Sequence, residues 1–435
     1  MKRGFYTIMS AQFFSSLADN ALFVGAVQLL RTNGAPTWQQ AALVPMFALF
    51  YVILAPFVGA FADSRPKGQV MFVSNAVKVL GCLMMLFGSH PLMAYAIVGL
   101  GAAAYSPAKY GILTELLPAS QLVKANGWIE GLTIASIILG VLLGGQLVGP
   151  VIAPWLLSLD LPMVDTPIDT PPEAAISVLV GVYAVAAWFN TRIPLTGVPM
   201  RPMRDNPDRS LAHNLVSLLP DFWRCNTRLW QDKLGQISLA TTTLFWGVSG
   251  NLRYIVLAWA AAALGYTVTQ ASSLVGVVAI GTAVGAVVAS MRMKLDQATG
   301  VMPLGIGMGL LVILLNFIDN VWVAAPFLVL LGGLGGFLVV PMNALLQHRG
   351  HNLMGAGRSI AVQNFNEQAC ILGLGGLYSL ATGLGMSAFG AITAFGVLVA
   401  GFMWLIKIWH ARNLVHHRDE VEHLLEIARN DNHHA

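Results

Sequence analysis

The chain has 435 residues, 56% of them hydrophobic and only 10% charged, with a formal net charge of +4. Soluble domains average about 25% charged residues, so the composition excludes one of ordinary kind, and the small positive excess is no nucleic-acid footprint. Cys82, Cys225 and Cys370 lie far apart, without the paired spacing of a zinc site or a disulfide framework.

Apolar runs of about 20 residues, each long enough to cross a hydrocarbon core of roughly 30 Å as a helix, recur from end to end. The pattern predicts an all-α integral membrane protein with twelve transmembrane helices. They fall at 7–30, 40–62, 69–89, 91–113, 126–149, 174–193, 236–263, 269–291, 300–318, 321–346, 359–382 and 386–409. The first run is too long for a signal peptide and lacks a small-residue cleavage site, so it is expected to be retained.

The first span holds Asp19 and Asn20 at its middle. A charge at that depth costs roughly 2.5–3.5 kcal/mol on insertion scales, so it is kept mainly where it pairs or handles a polar substrate. The loop after span 2 reads Gly59-Ala-Phe-Ala-Asp63-Ser-Arg65-Pro-Lys67-Gly68. It resembles the inner-loop signature of the major facilitator superfamily. Gly59 would let helices approach closely, while Asp63, Arg65 and Lys67 would form a charged gate. Span 3 contributes Lys78. Span 4 ends Tyr105-Ser-Pro-Ala-Lys109-Tyr-Gly111. Lys109 is either a phosphate ligand or a lysine snorkelling to the nearby interface. Span 5 opens with Asn126 and Glu130, and Gly140 and Gly144 follow four residues apart. Residues 150–173 are rich in proline and acid without a basic residue, which predicts a solvated outer loop.

Residues 194–235 form a Pro- and Arg-rich linker between two six-helix repeats, 1–193 and 236–409, and 410–435 form a tail. Span 7 carries Asn251 and Arg253, span 8 the small residues Gly281, Gly285 and Ala289, and span 11 Gln363, Asn364 and Glu367. Glu130 and Glu367 sit near helix starts, where a carboxylate also suits the helix dipole. The tail places Leu414, Val421, Leu424, Leu425 and Ala428 on one helical face, as in a surface helix, a membrane-lying helix or a partner dock.

The two repeats echo each other. Asp19-Asn20-Ala-Leu matches Gly250-Asn251-Leu-Arg253, Val58-Gly59-Ala matches Val284-Gly285-Ala, and Pro107-Ala-Lys109 matches Pro341-Met-Asn343. Ordered matches of this kind mark the parallel repeats of transporters. Arg253 lies about three residues further outward than the position equivalent to Asp19, roughly 4.5 Å at 1.5 Å per residue. A charge pair between Asp19 and Arg253 is therefore expected. Basic residues concentrate in alternate loops, which puts both termini in the cytoplasm.

The run Ser106-Pro-Ala-Lys-Tyr-Gly111, with Asp19-Asn20-Ala-Leu, Val339-Val-Pro-Met-Asn343-Ala-Leu-Leu-Gln347, Gly355-Ala-Gly357 and Ala361-Val-Gln-Asn364, resembles the bacterial lysophospholipid transporter family, a branch of the major facilitator superfamily. The resemblance implies alternating access in the bacterial inner membrane, with lysophosphatidylethanolamine and lysophosphatidylglycerol moved from outer to inner leaflet. It also implies a partner, the acyltransferase–acyl-carrier-protein synthetase that restores the missing chain. On that reading Lys78, Lys109 and Arg253 face the phosphate, and Asp19, Glu130 or Glu367 faces an ammonium head, with Asn20 and Asn251 beside them. No cofactor or metal pattern is present. A proton-driven drug or metabolite exporter, with Asp19 as proton carrier, is the alternative within transport. A lipid-repair enzyme is the alternative outside it, and no histidine has an aspartate five residues later, as membrane acyltransferases require.

Overall fold

In a computed structural model the chain is described over residues 3–116, 119–159, 168–197, 199–200, 211–354 and 356–431. Each of the twelve expected spans falls on helix. The helices are α1 (Arg3–Thr32), α2 (Thr37–Ile53), α3 (Ala55–Asp63), α4 (Lys67–Leu86), α5 (Pro91–Leu116), α6 (Ala119–Leu147), α7 (Ile152–Leu157) and α8 (Pro171–Thr191). Then come α9 (Leu211–Gln231), α10 (Gly235–Leu264), α11 (Val268–Arg292), α12 (Met302–Leu314), α13 (Val321–Met354), α14 (Ala356–Gly383), α15 (Ala388–His416) and α16 (Arg418–Asp431). Among the described residues, eight helices are long and apolar enough to cross a membrane, and Thr37–Ile53 and Gly131–Leu147 are shorter apolar ones. α10 carries Asn251 and Arg253, and α14 carries Gln363 and Glu367.

Helix α4 shows why the fold needs a membrane. It buries Ser74, Asn75 and Lys78 while exposing Phe72, Val73, Leu80 and Leu83. Polar-in and apolar-out is stable only where the surrounding solvent is hydrocarbon, since in water the same face would be a large exposed apolar patch.

Two compact units emerge. The first comprises Met1–Leu218, Gly265–Gly276 and Gly375–Leu384, and the second Leu219–Leu264, Val277–Leu374 and Gly385–Ala435. Within the first, α1 packs on α6 and α8, and α4 on α5 and α8. A Cβ at Gly140 would stand 2.6 Å from the Leu17 carbonyl oxygen, and one at Gly144 2.6 Å from that of Ala21. The glycine pair of α6 thus seats this helix against the stretch of α1 that carries Asp19. Within the second unit, a Cβ at Gly281 or Gly285 would strike the backbone of Val329 or Gly333 on α13. Both glycine stripes therefore serve close helix packing inside a unit.

Two local expectations are corrected, and a third is sharpened. Glu173, read as part of a solvated loop, accepts from the backbone N–H groups of Asp169 and Thr170 at 2.9 Å and so caps α8, which begins at Pro171. Proline is favourable at a first turn because its missing N–H is not needed there. In the same stretch residues 152–157 form the short α7, and Asp160 and Asp165 lie outside the described residues. The linker, read as Pro-rich connection, contains the 21-residue helix α9. The tail helix α16 turns Val421, Leu424 and Ala428 into the second unit's own core beside Ala298 and Val301. That packing fits the surface-helix reading of the tail, while Leu414 of the same expected face stays exposed.

Candidate functional site

The first unit holds an ion pair at the depth where the sequence places Asp19. Lys78 Nζ on α4 donates to Asp19 Oδ2 at 2.8 Å and to Ser15 Oγ at 2.9 Å. Ser15 donates on to Asn75 Oδ1 at 2.7 Å, and the Tyr183 hydroxyl on α8 donates to Asp19 Oδ1 at 2.6 Å. The ammonium lies 5.0 Å from the Tyr105 ring centroid and 5.6 Å from that of Tyr183, within the range of cation–π attraction. Lys78 is 1% exposed, whereas the Asp19 side chain keeps 20% of its surface accessible. The cluster is therefore closed around the cation and open at the anion.

Helix packing sets this geometry. A Cβ at Gly101 on α5 would lie 2.7 Å from Lys78 Cγ and 2.6 Å from the Ser74 carbonyl oxygen. A bare backbone at Gly101 thus makes room for the lysine stem. Two buried polar atoms of the cluster, Asn75 Nδ2 and the Tyr105 hydroxyl, have no hydrogen-bond partner among the described residues. Leaving a buried polar group without a partner costs about 1–3 kcal/mol.

Within the first unit the Asp19 carboxylate is held by Lys78 and Tyr183. Arg253 is half-buried on α10 of the second unit. The asparagines at equivalent repeat positions behave alike. Asn20 Nδ2 donates to the Ser16 carbonyl and Asn251 Nδ2 to the Gly247 carbonyl, both four residues back and both at 2.8 Å. Asn251 also reaches the Ile371 carbonyl on α14 at 3.3 Å, so it ties α10 to α14.

The second unit has its own buried polar group. Gln363 Nε2 donates to Asn343 Oδ1 at 2.5 Å and to Glu367 Oε1 at 2.8 Å. Glu367 is 7% exposed, too deep for a mere dipole-capping surface residue. Lys109 is likewise buried. The side chain of Glu130 lies outside the described residues, although its backbone is part of α6.

The inner-loop motif is rearranged relative to expectation. Lys67 is buried: its Nζ donates to the Ala62 carbonyl at 2.7 Å and pairs with Glu115 at 3.4 Å. Glu115 also accepts from Thr196 Oγ1 at 2.7 Å. A Cβ at Gly111 would meet Lys67 Cε at 3.2 Å, so the glycine ending the Ser106–Gly111 run clears the lysine's path. Arg65 is exposed and the Asp63 side chain lies outside the described residues. At Gly59 nothing among the described residues comes within 4 Å of an added Cβ.

Sequence reasoning missed Tyr183, Ser15, Asn75 and Glu115. Polar residues at Ser15, Asp19 and Asn75, Lys78 recur at helical spacing on α1 and α4, a signal that both helices turn one polar face inward. Nothing local marks Tyr183. Cys225, the cysteine outside the expected spans, has its thiol pushed up by burial and by Asp221. Among the described residues no three His, Cys, Asp or Glu side chains gather as metal ligands.

Comparisons with known proteins agree with this architecture. A family model described as Major Facilitator Superfamily matches residues 8–374. The lysophospholipid transporter LplT of Enterobacter sp. (strain 638) is 39% identical over 413 residues, covering 94% of this chain and 96% of that protein. The protein of the same name from Escherichia coli O1:K1 / APEC is 39% identical over 412 residues, covering 94% and 97%. Among solved structures, the nucleoside transporter NupG aligns with TM-score 0.64 at 12% identity over 94% of this chain and 99% of that one. An auto-inhibited POT family peptide transporter aligns with TM-score 0.66 at 12% identity over 94% and 97%. Likeness at that identity speaks for the fold alone.

Proposed function

Because this chain belongs to the lysophospholipid transporter family within the major facilitator superfamily, we propose that it moves lysophospholipids between the leaflets of a bacterial inner membrane by alternating access. Near-full-length 39% identity to transporters named for that substrate supports the substrate class. The observation that carries the mechanism is the Lys78–Asp19 pair, buried at the cation and accessible at the anion.

A lysophosphatidylethanolamine head bears a phosphate anion and an ammonium cation. Such a zwitterion can enter an internal ion pair by exchange: its ammonium takes Asp19 while Lys78 turns to the phosphate. The exchange leaves no net charge stranded in a low-dielectric site, which is the costly alternative. Tyr183 and Ser15 hold the two side chains in place during the exchange. Lys109, Arg253, Glu367 and Glu130 are further charges proposed to meet the head along its path, with Asn20 and Asn251 fixing the local backbone beside it. Gly59, Asp63, Arg65 and Lys67 form the proposed inner gate, with Lys67–Glu115 as its latch. Both termini are proposed to face the cytoplasm, where an acyltransferase–acyl-carrier-protein synthetase receives the delivered lysolipid.

The test is a flipping assay with purified protein in vesicles. Labelled lysophosphatidylethanolamine should change leaflet in a protein-dependent way while two-chain phosphatidylethanolamine stays behind. Equal movement of both lipids, or of neither, would overturn the reading.

A further inference from the structure

Helix α9 stands between two membrane helices in the chain and, with the residues just after it, contacts three others. Asp232, just after it, takes Arg349 of α13 through two bonds, at 2.7 and 3.1 Å. Asn226 accepts from Asn366 of α14 at 2.7 Å, Trp230 donates to the same Asn366 at 3.1 Å, and Trp230 stacks on Trp409 of α15. The carbonyl of Lys233, beyond the helix end, accepts from Asn413 of α15. Phe222, Asn226 and Leu229 are buried on this inner face. An element pinned to helix ends, between two spans, lies at the membrane surface.

Its opposite face is a shallow groove lined by Pro220, Trp223, Arg224, Thr227, Arg228 and Gln231. Trp223 is 51% exposed, and Arg224 and Arg228 are exposed one helical turn apart. Neither arginine has an ion-pair partner among the described residues. The two acids nearest by are engaged elsewhere: Asp221 with Arg358, and Asp232 with Arg349. The face thus carries uncompensated positive charge beside an exposed indole, the combination that suits the headgroup layer of a membrane.

We propose that this face of α9 is a binding site for two-chain anionic phospholipid in the cytoplasmic leaflet, distinct from any transported lipid. The guanidinium groups grip the phosphate through paired hydrogen bonds, and Thr227 and Gln231 add neutral donors. Trp223 sits at the level of the glycerol backbone.

The experiment uses the delipidated full chain in detergent, titrated with two-chain phosphatidylglycerol or phosphatidylcholine and read by native mass spectrometry. Phosphatidylglycerol should bind preferentially at low salt, and the preference should shrink as salt rises. Arg224→Gln with Arg228→Gln should weaken phosphatidylglycerol binding by about fivefold per arginine lost, with phosphatidylcholine binding unchanged. Arg224→Lys with Arg228→Lys should retain only part of the preference, because the charge persists while the paired hydrogen bonds are lost. Equal binding of the two lipids by the wild type, a salt-independent preference, or an unaltered preference in the glutamine variant would each overturn the proposal. So would a face that ignores both lipids but binds a polyglutamate peptide, since that would make it a protein dock.

Discussion

The ammonium of Lys78 meets the carboxylate of Asp19 at 2.8 Å although the two residues are 59 positions apart, and the lysine is almost wholly buried. Removing one partner of such a pair strands the other charge, at a cost of about 3–5 kcal/mol. Lys78→Met should therefore lower thermal stability in detergent markedly and abolish flipping. The double variant Asp19→Asn, Lys78→Met should recover much of the stability, because no charge remains, yet stay inactive. Melting curves and the flipping assay separate the two effects; an active double variant would remove the pair from the mechanism.

Tyr183→Phe deletes one hydrogen bond to a charged acceptor while preserving the ring beside Lys78. Bonds of that class contribute about 1.5–3 kcal/mol. Flipping should slow without vanishing, and the protein should remain folded. A rate equal to wild type would show that Asp19 needs no orienting from α8.

The glycines of α6 offer a contrast within one helix. Gly140→Val should disrupt the α1–α6 seam, since even a Cβ would press on the Leu17 carbonyl. Gly131→Ala meets nothing within 4 Å and should stabilise the helix by about 0.5–1 kcal/mol. Expression yield and melting temperature of the two variants should move in opposite directions.

Arg349 and Asp232 are both largely buried and joined at two points. Lysine cannot reproduce that fork, so Arg349→Lys should loosen the junction of α9 and α10. Hydrogen–deuterium exchange should speed up across residues 226–235 while α4 and α5 stay protected. Unchanged exchange would show that the aromatic contacts of Phe222 and Trp223 with Phe365 hold α9 alone.

The extent of what could be read from the sequence follows its physics. The spans were legible because the bilayer imposes a length of about 20 apolar residues on every crossing helix. Asp19 stood out because charge at that depth is expensive. Helix α9 was hidden by Pro194, Pro199, Pro202 and Pro207, which fill the stretch just before it, and because Pro220 sits within it. Leu215, Leu218, Leu219, Phe222 and Leu229 do recur at helical spacing, but the prolines outweighed that signal.

By itself, then, the sequence determined the solvent, the spans, the repeat and the charges that had to be accounted for, since composition and period are properties of the chain alone. Tertiary structure decided which charge answers which. Within the first unit Asp19 took Lys78, because Gly101 opens space for a lysine stem beside α1 and α8. Such choices depend on how closely helices approach, and a distance of that kind is written in no single segment of the chain.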